Sequence, residues 1–194
     1  MEDDIYADTA QGKIPDPLKR DDIYGRVILC GSFSKSLSRD LRIGWISAGR
    51  WQANVIQLKL VTQLASPCGI QLGVAEFIEN GGYATHLKRQ QQRLNQQRDF
   101  LISEIRHRPL QKPPHVPGGG LTVWITLTQE INTTVLYQTL REKGVFITPG
   151  ELFSGENLFS DCLRISFAHP WNEKRKQALK SLHSEIIAGT GNRN

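Results

Sequence analysis

No apolar run in the 194 residues approaches the length of a bilayer span, and the acidic start Met1-Glu2-Asp3-Asp4 is not a secretory signal. Cysteine is scarce. Cys30, Cys68 and Cys162 are odd in number and form no Cys-x-x-Cys pair, which argues against a disulfide framework and for reduced, structural thiols in a cytoplasmic protein. The histidines show no metal-ligand spacing, and His86 and His169 read as structural. Internal repeats and low-complexity tracts are absent. What remains is an ordinary globular composition, 39% hydrophobic and 22% charged, long enough for one domain with a proper core and a second, smaller unit. A net charge of +5 and a pI near 9.2 admit a nucleic-acid partner. Several of the basic residues have anionic ligand groups as their reading, however, so no DNA-binding surface is assigned.

The most informative stretch is Gly31-Ser32-Phe33-Ser34-Lys35, just past the apolar run Val27-Ile28-Leu29-Cys30, with Arg42 seven residues further on. A lysine amine can condense with a carbonyl. Hydroxyls one and three residues before it, and a guanidinium after it, can hold a phosphate. Upstream, Asp3 and Tyr6 supply an acid and a phenol, and downstream Arg164 interrupts the apolar run Leu163-Arg164-Ile165-Ser166-Phe167. Pyridoxal phosphate needs this set. Its aldehyde takes a lysine, its pyridine nitrogen a carboxylate that keeps it protonated, its ring oxygen a hydroxyl donor. An amino-acid ligand adds a carboxylate, for which a bidentate arginine is the natural clamp.

Each residue also has a plainer reading. Asp4 competes with Asp3, and the Asp-x-x-Tyr spacing favours Asp3. Tyr6 could be a packed aromatic, and Ser32 and Ser34 could close a turn. Arg42 could pair with Asp40 in a surface bridge. A charge within an apolar strand needs a partner, so Arg164 faces either a ligand carboxylate or an internal acid. Gly118 to Gly120 could line a substrate pocket, because backbone approaches closely where side chains are absent.

These motifs, in this order, resemble the C-terminal part of a fold-type I pyridoxal-phosphate protein of the aspartate-aminotransferase superfamily, over about residues 2 to 186. The resemblance puts the family's Asp-x-x-Tyr pair on Asp3 and Tyr6, its Ser-x-Ser-Lys on Ser32 to Lys35, its phosphate arginine on Arg42 and its substrate-carboxylate arginine on Arg164. Within the superfamily, Glu2-Asp3-Asp4-Ile5-Tyr6-Ala7-Asp8, Gly150-Glu151-Leu152-Phe153-Ser154 and Cys162 through Trp171 are similar to the aminotransferase-like half of MocR-type regulators of the GntR family. A stand-alone class I/II aminotransferase of the aminoadipate or kynurenine kind shares most of the other motifs.

The resemblance implies pyridoxal 5'-phosphate as cofactor, an amino acid as substrate or effector, a homodimer, and contact with DNA only through a further N-terminal domain. It also implies that roughly half of the catalytic domain precedes Asp3 in family members. A fragment unable to bind cofactor by itself therefore stands as another expectation.

The implied fold class is α/β: the end of a large cofactor-binding domain over 1-82, a linking helix over 83-108, and a small α+β domain over 109-194. Residues 7–26 read as a loop, Val27 to Cys30 and Ile43 to Ser47 as strands, and 50–65 and 70–80 as helices. The leucine-faced helix from Tyr83 to Arg106, closed by Pro109, Pro113, Pro114 and Pro117, reads as a solvated connector. Beyond it the pattern gives a strand at Leu121 to Leu127, a helix capped by Asn132 and ending at Lys143-Gly144, strands at Val145 to Ile147 and Leu163 to Phe167, and a last helix capped by Asn172.

Overall fold

The computed structural model describes all residues except 11, 13, 14, 108–111, 113, 129, 130, 157 and 192–194. It has the expected mixed α/β class and divides into two units. The first comprises Met1–Gln92 with Gly118–Gly120, the second Arg93–Pro117 with Leu121–Asn194.

The first unit is built on a three-stranded sheet, β1 (Glu2–Asp3), β2 (Leu29–Ser32) and β3 (Gly44–Ser47), with β2 in the middle. β1 and β2 are parallel, with Glu2 opposite Leu29 and Asp3 opposite Cys30. β3 returns antiparallel, with Gly31 opposite Trp45. A Cβ on Gly31 would come within 2.4 Å of the Trp45 indole, so glycine lets that ring lie across the strand. Helices α1 (Gln52–Gln63) and α2 (Cys68–Glu79) follow, then the first turns of the 25-residue α3 (Gly82–Arg106).

The helical spacing in α1 predicts a buried apolar face, but none of its residues is buried. Ile56, Leu58, Leu60 and Val61 are all more than half exposed, and every residue of β3 is exposed too.

The stretch 7–26 is more ordered than a plain loop. It holds two short 3-10 turns, Ala7–Thr9 and Leu18–Asp21, and carboxylates accept backbone N–H groups at the second turn and just after it. Glu2 accepts from Leu18 (2.9 Å) and Lys19 (3.2 Å), and Asp22 from Arg26 (2.8 Å) and Val27 (2.7 Å). Lys19 Nζ closes the knot on Asp22 at 3.3 Å and on the Val27 carbonyl at 2.8 Å.

The second unit holds the hydrophobic core. β4 (Thr122–Thr126), β5 (Thr148–Pro149) and β6 (Cys162–Ser166) form an antiparallel sheet with β6 central. Val123, Ile125 and Leu163 point inward against Leu94, Leu101, Ile102 and Ile105 of α3. α4 (Thr133–Glu142) adds Leu136 and Leu140, and α5 (Glu173–Gly191) adds Leu179, Leu182 and Ile186.

Both caps read from the sequence are formed. Asn132 Oδ1 accepts from Thr134 and Val135 (2.9 and 3.0 Å), and Asn172 Oδ1 accepts from Arg175 (2.9 Å). The strand expected at Val145 to Ile147 lies later, at Thr148–Pro149. The Val145 N–H instead bonds the Leu140 carbonyl at 2.9 Å, sealing the end of α4 beside Gly144 at φ +70°, so the ladder to β6 starts only at Thr148. Pro109 and Pro113, expected to close α3, lie outside the described residues.

The bonds from Val27 and Arg26, then Lys19, hold the Asp22 carboxyl below its ordinary pKa, against an opposing burial effect. A carboxylate with a depressed folded-state pKa contributes its full stability above the ordinary aspartate range and loses it as pH falls through the depressed value. Amide exchange at Arg26 and Val27, corrected for its intrinsic rate, is therefore expected to stay slow through that range and accelerate only below it. Asp22→Asn should abolish the step.

Candidate functional site

Two parallel strands deliver their C-terminal ends to the same edge of the sheet. β1 ends in Asp3, whose Oδ1 accepts the Ile5 N–H at 3.3 Å, and the chain turns through Tyr6. That turn is anchored by fully buried Thr9, which donates to the Tyr6 carbonyl (2.7 Å) and accepts from Gly120 N (3.0 Å). Burial pushes the Asp4 carboxyl up, and the charges of Glu2, Asp8 and Asp3 push it the same way.

β2 ends in Ser32 and enters the lysine loop. Ser32 Oγ donates to the Ile43 carbonyl (3.3 Å) and accepts from Ser34 N (3.1 Å), so this hydroxyl closes the loop on itself. Lys35 Nζ then lies over the Tyr6 ring, 5.4 Å from its centroid. Among the described residues this half-buried amine makes no ion pair with a carboxylate. The geometry brings Lys35 and Tyr6 together.

Arg42 follows a short turn at Arg39–Leu41 and takes a left-handed backbone, φ 53° and ψ 37°. Such a conformation costs a side-chain-bearing residue roughly 1–2 kcal/mol and is most readily taken by glycine. Asp40, the alternative partner considered for Arg42, pairs instead with Arg39 across 3.6 Å of exposed surface. Arg42 lines a groove of about 680 Å³ together with Cys30, Gly31, Trp45 and residues of α1. A second concavity of about 610 Å³ is bordered by Tyr6, Asp4 and Gly118–Gly120, where a Cβ on Gly119 would come within 2.7 Å of Ala10 Cα.

In the second unit, Arg164 sits on β6 opposite Trp124 and Thr148. Its guanidinium covers the Phe153 ring at 4.7 Å, and Trp124 meets Phe153 and Phe159 edge-on at 5.4 and 5.7 Å. An aromatic surface thus occupies the place considered for an internal acid.

The sequence reading missed the polar side chains that grip the lysine loop from behind: Tyr83, His86 and Gln90 of α3. Their helical spacing on one face was the available signal. The cysteines are free thiols, and the described residues contain no cluster able to hold a metal ion.

The sequence profile for aminotransferase class I and II matches residues 1–182. The chain belongs to that family. Two curated relatives are the HTH-type transcriptional regulators YjiR of Escherichia coli and NorG of Staphylococcus aureus. YjiR is 31% identical over 96% of this chain and 40% of its own length; NorG is 30% identical over 96% and 42%.

Among solved structures, the multiple substrate aminotransferase of Thermococcus profundus superposes with a TM-score of 0.87 at 26% identity. It covers 98% of this chain and 48% of its own. The α-aminoadipate aminotransferase LysN of Thermus thermophilus, complexed with N-(5'-phosphopyridoxyl)-L-leucine, gives 0.87, 26%, 98% and 50%. The chain thus spans about two-fifths of the curated regulators and about half of the solved aminotransferases. Its fold is the C-terminal part of theirs.

Replacing Arg42 by glycine removes the left-handed strain while adding chain entropy to the unfolded state. Arg42→Gly is expected to leave stability unchanged or raise it by up to about 1 kcal/mol, read from urea unfolding midpoints. A clear loss would mean the guanidinium has a structural partner.

Proposed function

We propose that this chain is the cofactor- and effector-binding, aminotransferase-like part of a MocR/GntR-type transcriptional regulator, with pyridoxal 5'-phosphate held at Lys35. The observation that carries the reading is the Lys35 amine poised over the Tyr6 ring without a carboxylate to neutralise it. The donor set fits the group. A lysine amine can condense with an aldehyde, a neighbouring phenol can donate to a ring oxygen, and Arg42 opens on a groove with no acid pairing it among the described residues. The similarity to HTH-type regulators over nearly the whole chain supports the regulatory branch.

In this reading Lys35 would hold the cofactor through its aldehyde, and the same amine would move a proton at the substrate α-carbon. Asp3 keeps a proton on the ring nitrogen, and Tyr6 donates to the ring oxygen. Arg42, with Ser32 and Ser34, holds the phosphate, and Arg164 clamps the carboxylate of an amino acid. When bound, the cofactor supplies an electron sink for that α-carbon.

Residues 1-82 are then the end of the large domain, 83-108 the linking helix and 109-194 the small domain. The working protein is a cytoplasmic homodimer that reaches DNA through a domain outside this chain. No described helix is long and apolar enough to cross a membrane.

A second reading, a stand-alone class I/II aminotransferase acting on an amino acid and a 2-oxo acid, is supported by the superposition on such enzymes. A winged helix-turn-helix encoded upstream of residue 1 separates the two. A third, a piece unable to hold cofactor alone, is tested with the first. Pyridoxal phosphate is added, borohydride reduces the product, and mass spectrometry locates it.

The longer protein is expected to carry one adduct on Lys35, absent from Lys35→Ala. An adduct elsewhere sinks the assignment, whereas one present only in the longer form establishes the third reading. Arg164→Ala is expected to weaken amino-acid binding to the loaded protein about ten-fold or more, the scale of a lost charge-assisted pair. Unchanged affinity by calorimetry removes the clamp.

A further inference from the structure

Directly behind the lysine loop, the first turns of α3 contribute a hydrogen-bonded network whose direction can be worked out. The Tyr83 hydroxyl bonds the Asp8 carboxylate and lies 2.8 Å from Ser36 Oγ. A carboxylate only accepts, so the single phenolic hydrogen goes to Asp8 and Ser36 must donate its own to the Tyr83 oxygen. One and the same oxygen therefore holds both turns. Burial, then the bond to Asp8, pushes the Tyr83 phenol well above its ordinary pKa, which keeps that hydrogen in place.

Further side chains from the same helix grip the backbone. His86 Nε2 lies 2.7 Å from the Ser36 carbonyl, which can only accept, so Nε2 carries the ring hydrogen. Gln90 donates to the Lys35 carbonyl and Gln91 to the Asp8 carbonyl, both at 3.3 Å. Ser36 is 1% exposed, so losing a partner there leaves a buried polar group unsatisfied. Phe33 and Phe77 meet the Tyr83 ring edge-on at 5.5 and 6.4 Å and fix its position.

Ser36 follows Lys35, and Asp8 lies two residues after Tyr6. We propose that Tyr83 is a positioning residue for the Lys35–Tyr6 pair: through Ser36 and Asp8, its hydroxyl fixes the lysine turn against the tyrosine turn and so holds the amine over the phenol ring. The alignment comes from α3, far along the sequence from either motif. The bonds of the Tyr83 hydroxyl go to Ser36 and Asp8 and leave the side chains of the pair to the site. This role rests on the pyridoxal-phosphate reading for the chemistry that the alignment serves.

The test uses the longer protein loaded with pyridoxal phosphate, comparing wild type with Tyr83→Phe, which keeps the ring packing and deletes the hydroxyl. Covalent attachment to Lys35, followed by borohydride trapping, is expected to slow about ten-fold, the scale of one or two lost hydrogen bonds. The pH midpoint of the bound cofactor's visible absorbance is expected to move with it. Asp8→Asn alone, whose amide oxygen still accepts from the Tyr83 hydroxyl, should keep most of the wild-type rate.

Wild-type kinetics and midpoint in Tyr83→Phe would overturn the positioning role. Failure of wild type to attach cofactor at Lys35 would instead overturn the reading beneath it. Should Tyr83→Phe not fold, Ser36→Ala cuts only one arm of the bridge and is expected to slow attachment similarly; an unchanged rate there overturns the proposal as well.

Discussion

Parallel pairing of β1 with β2 is the constraint from which the site follows. Parallel neighbours run in the same direction, so the turn after Asp3 and the turn after Ser32 leave the sheet at one edge. Antiparallel pairing would have sent them to opposite ends. The open edge beyond the carboxyl ends of parallel strands is where α/β folds place their ligands. Here it brings a lysine and a tyrosine that are 29 residues apart into cation–π range. The two turns owe their own shape to short-range bonds, from Thr9 on one side and Ser32 on the other.

Much of this was readable because the chemistry is local. Ser32 to Lys35 and Arg42 fall within one loop, and Asp3 with Tyr6 in another, so spacing along the chain carries the pattern. Asn132 and Asn172 were equally legible, since a cap acts on N–H groups two or three residues away. Val145 to Ile147 misled because an apolar run of that length cannot distinguish a strand from the sealed end of a helix. The helical spacing of Tyr83 marks its face but not its partners, for the opposite reason. Its partners are 47 and 75 residues away, and only folding shows that one hydroxyl serves both.

The two units differ in how they are stabilised. The second is a conventional packed body, with fourteen buried apolar residues in one cluster drawn from α3, α4, α5 and the sheet. The first has, among its described residues, Leu29, Ala48 and Val74 as buried apolar residues, and leans on side-chain-to-backbone bonds such as those of Glu2, Asp22 and Thr9. Arg164 belongs to the well-packed body, where its guanidinium lies over the Phe153 ring, 4.7 Å from the centroid.

β3 occupies an outer position in its sheet, and beside it α1 turns isoleucine, leucine and valine side chains toward water. A strand rim with unmatched amides next to a greasy strip is the geometry natural proteins conceal, because it templates cohesion between molecules. On this polypeptide by itself, that flank is the surface from which cohesion between copies would start.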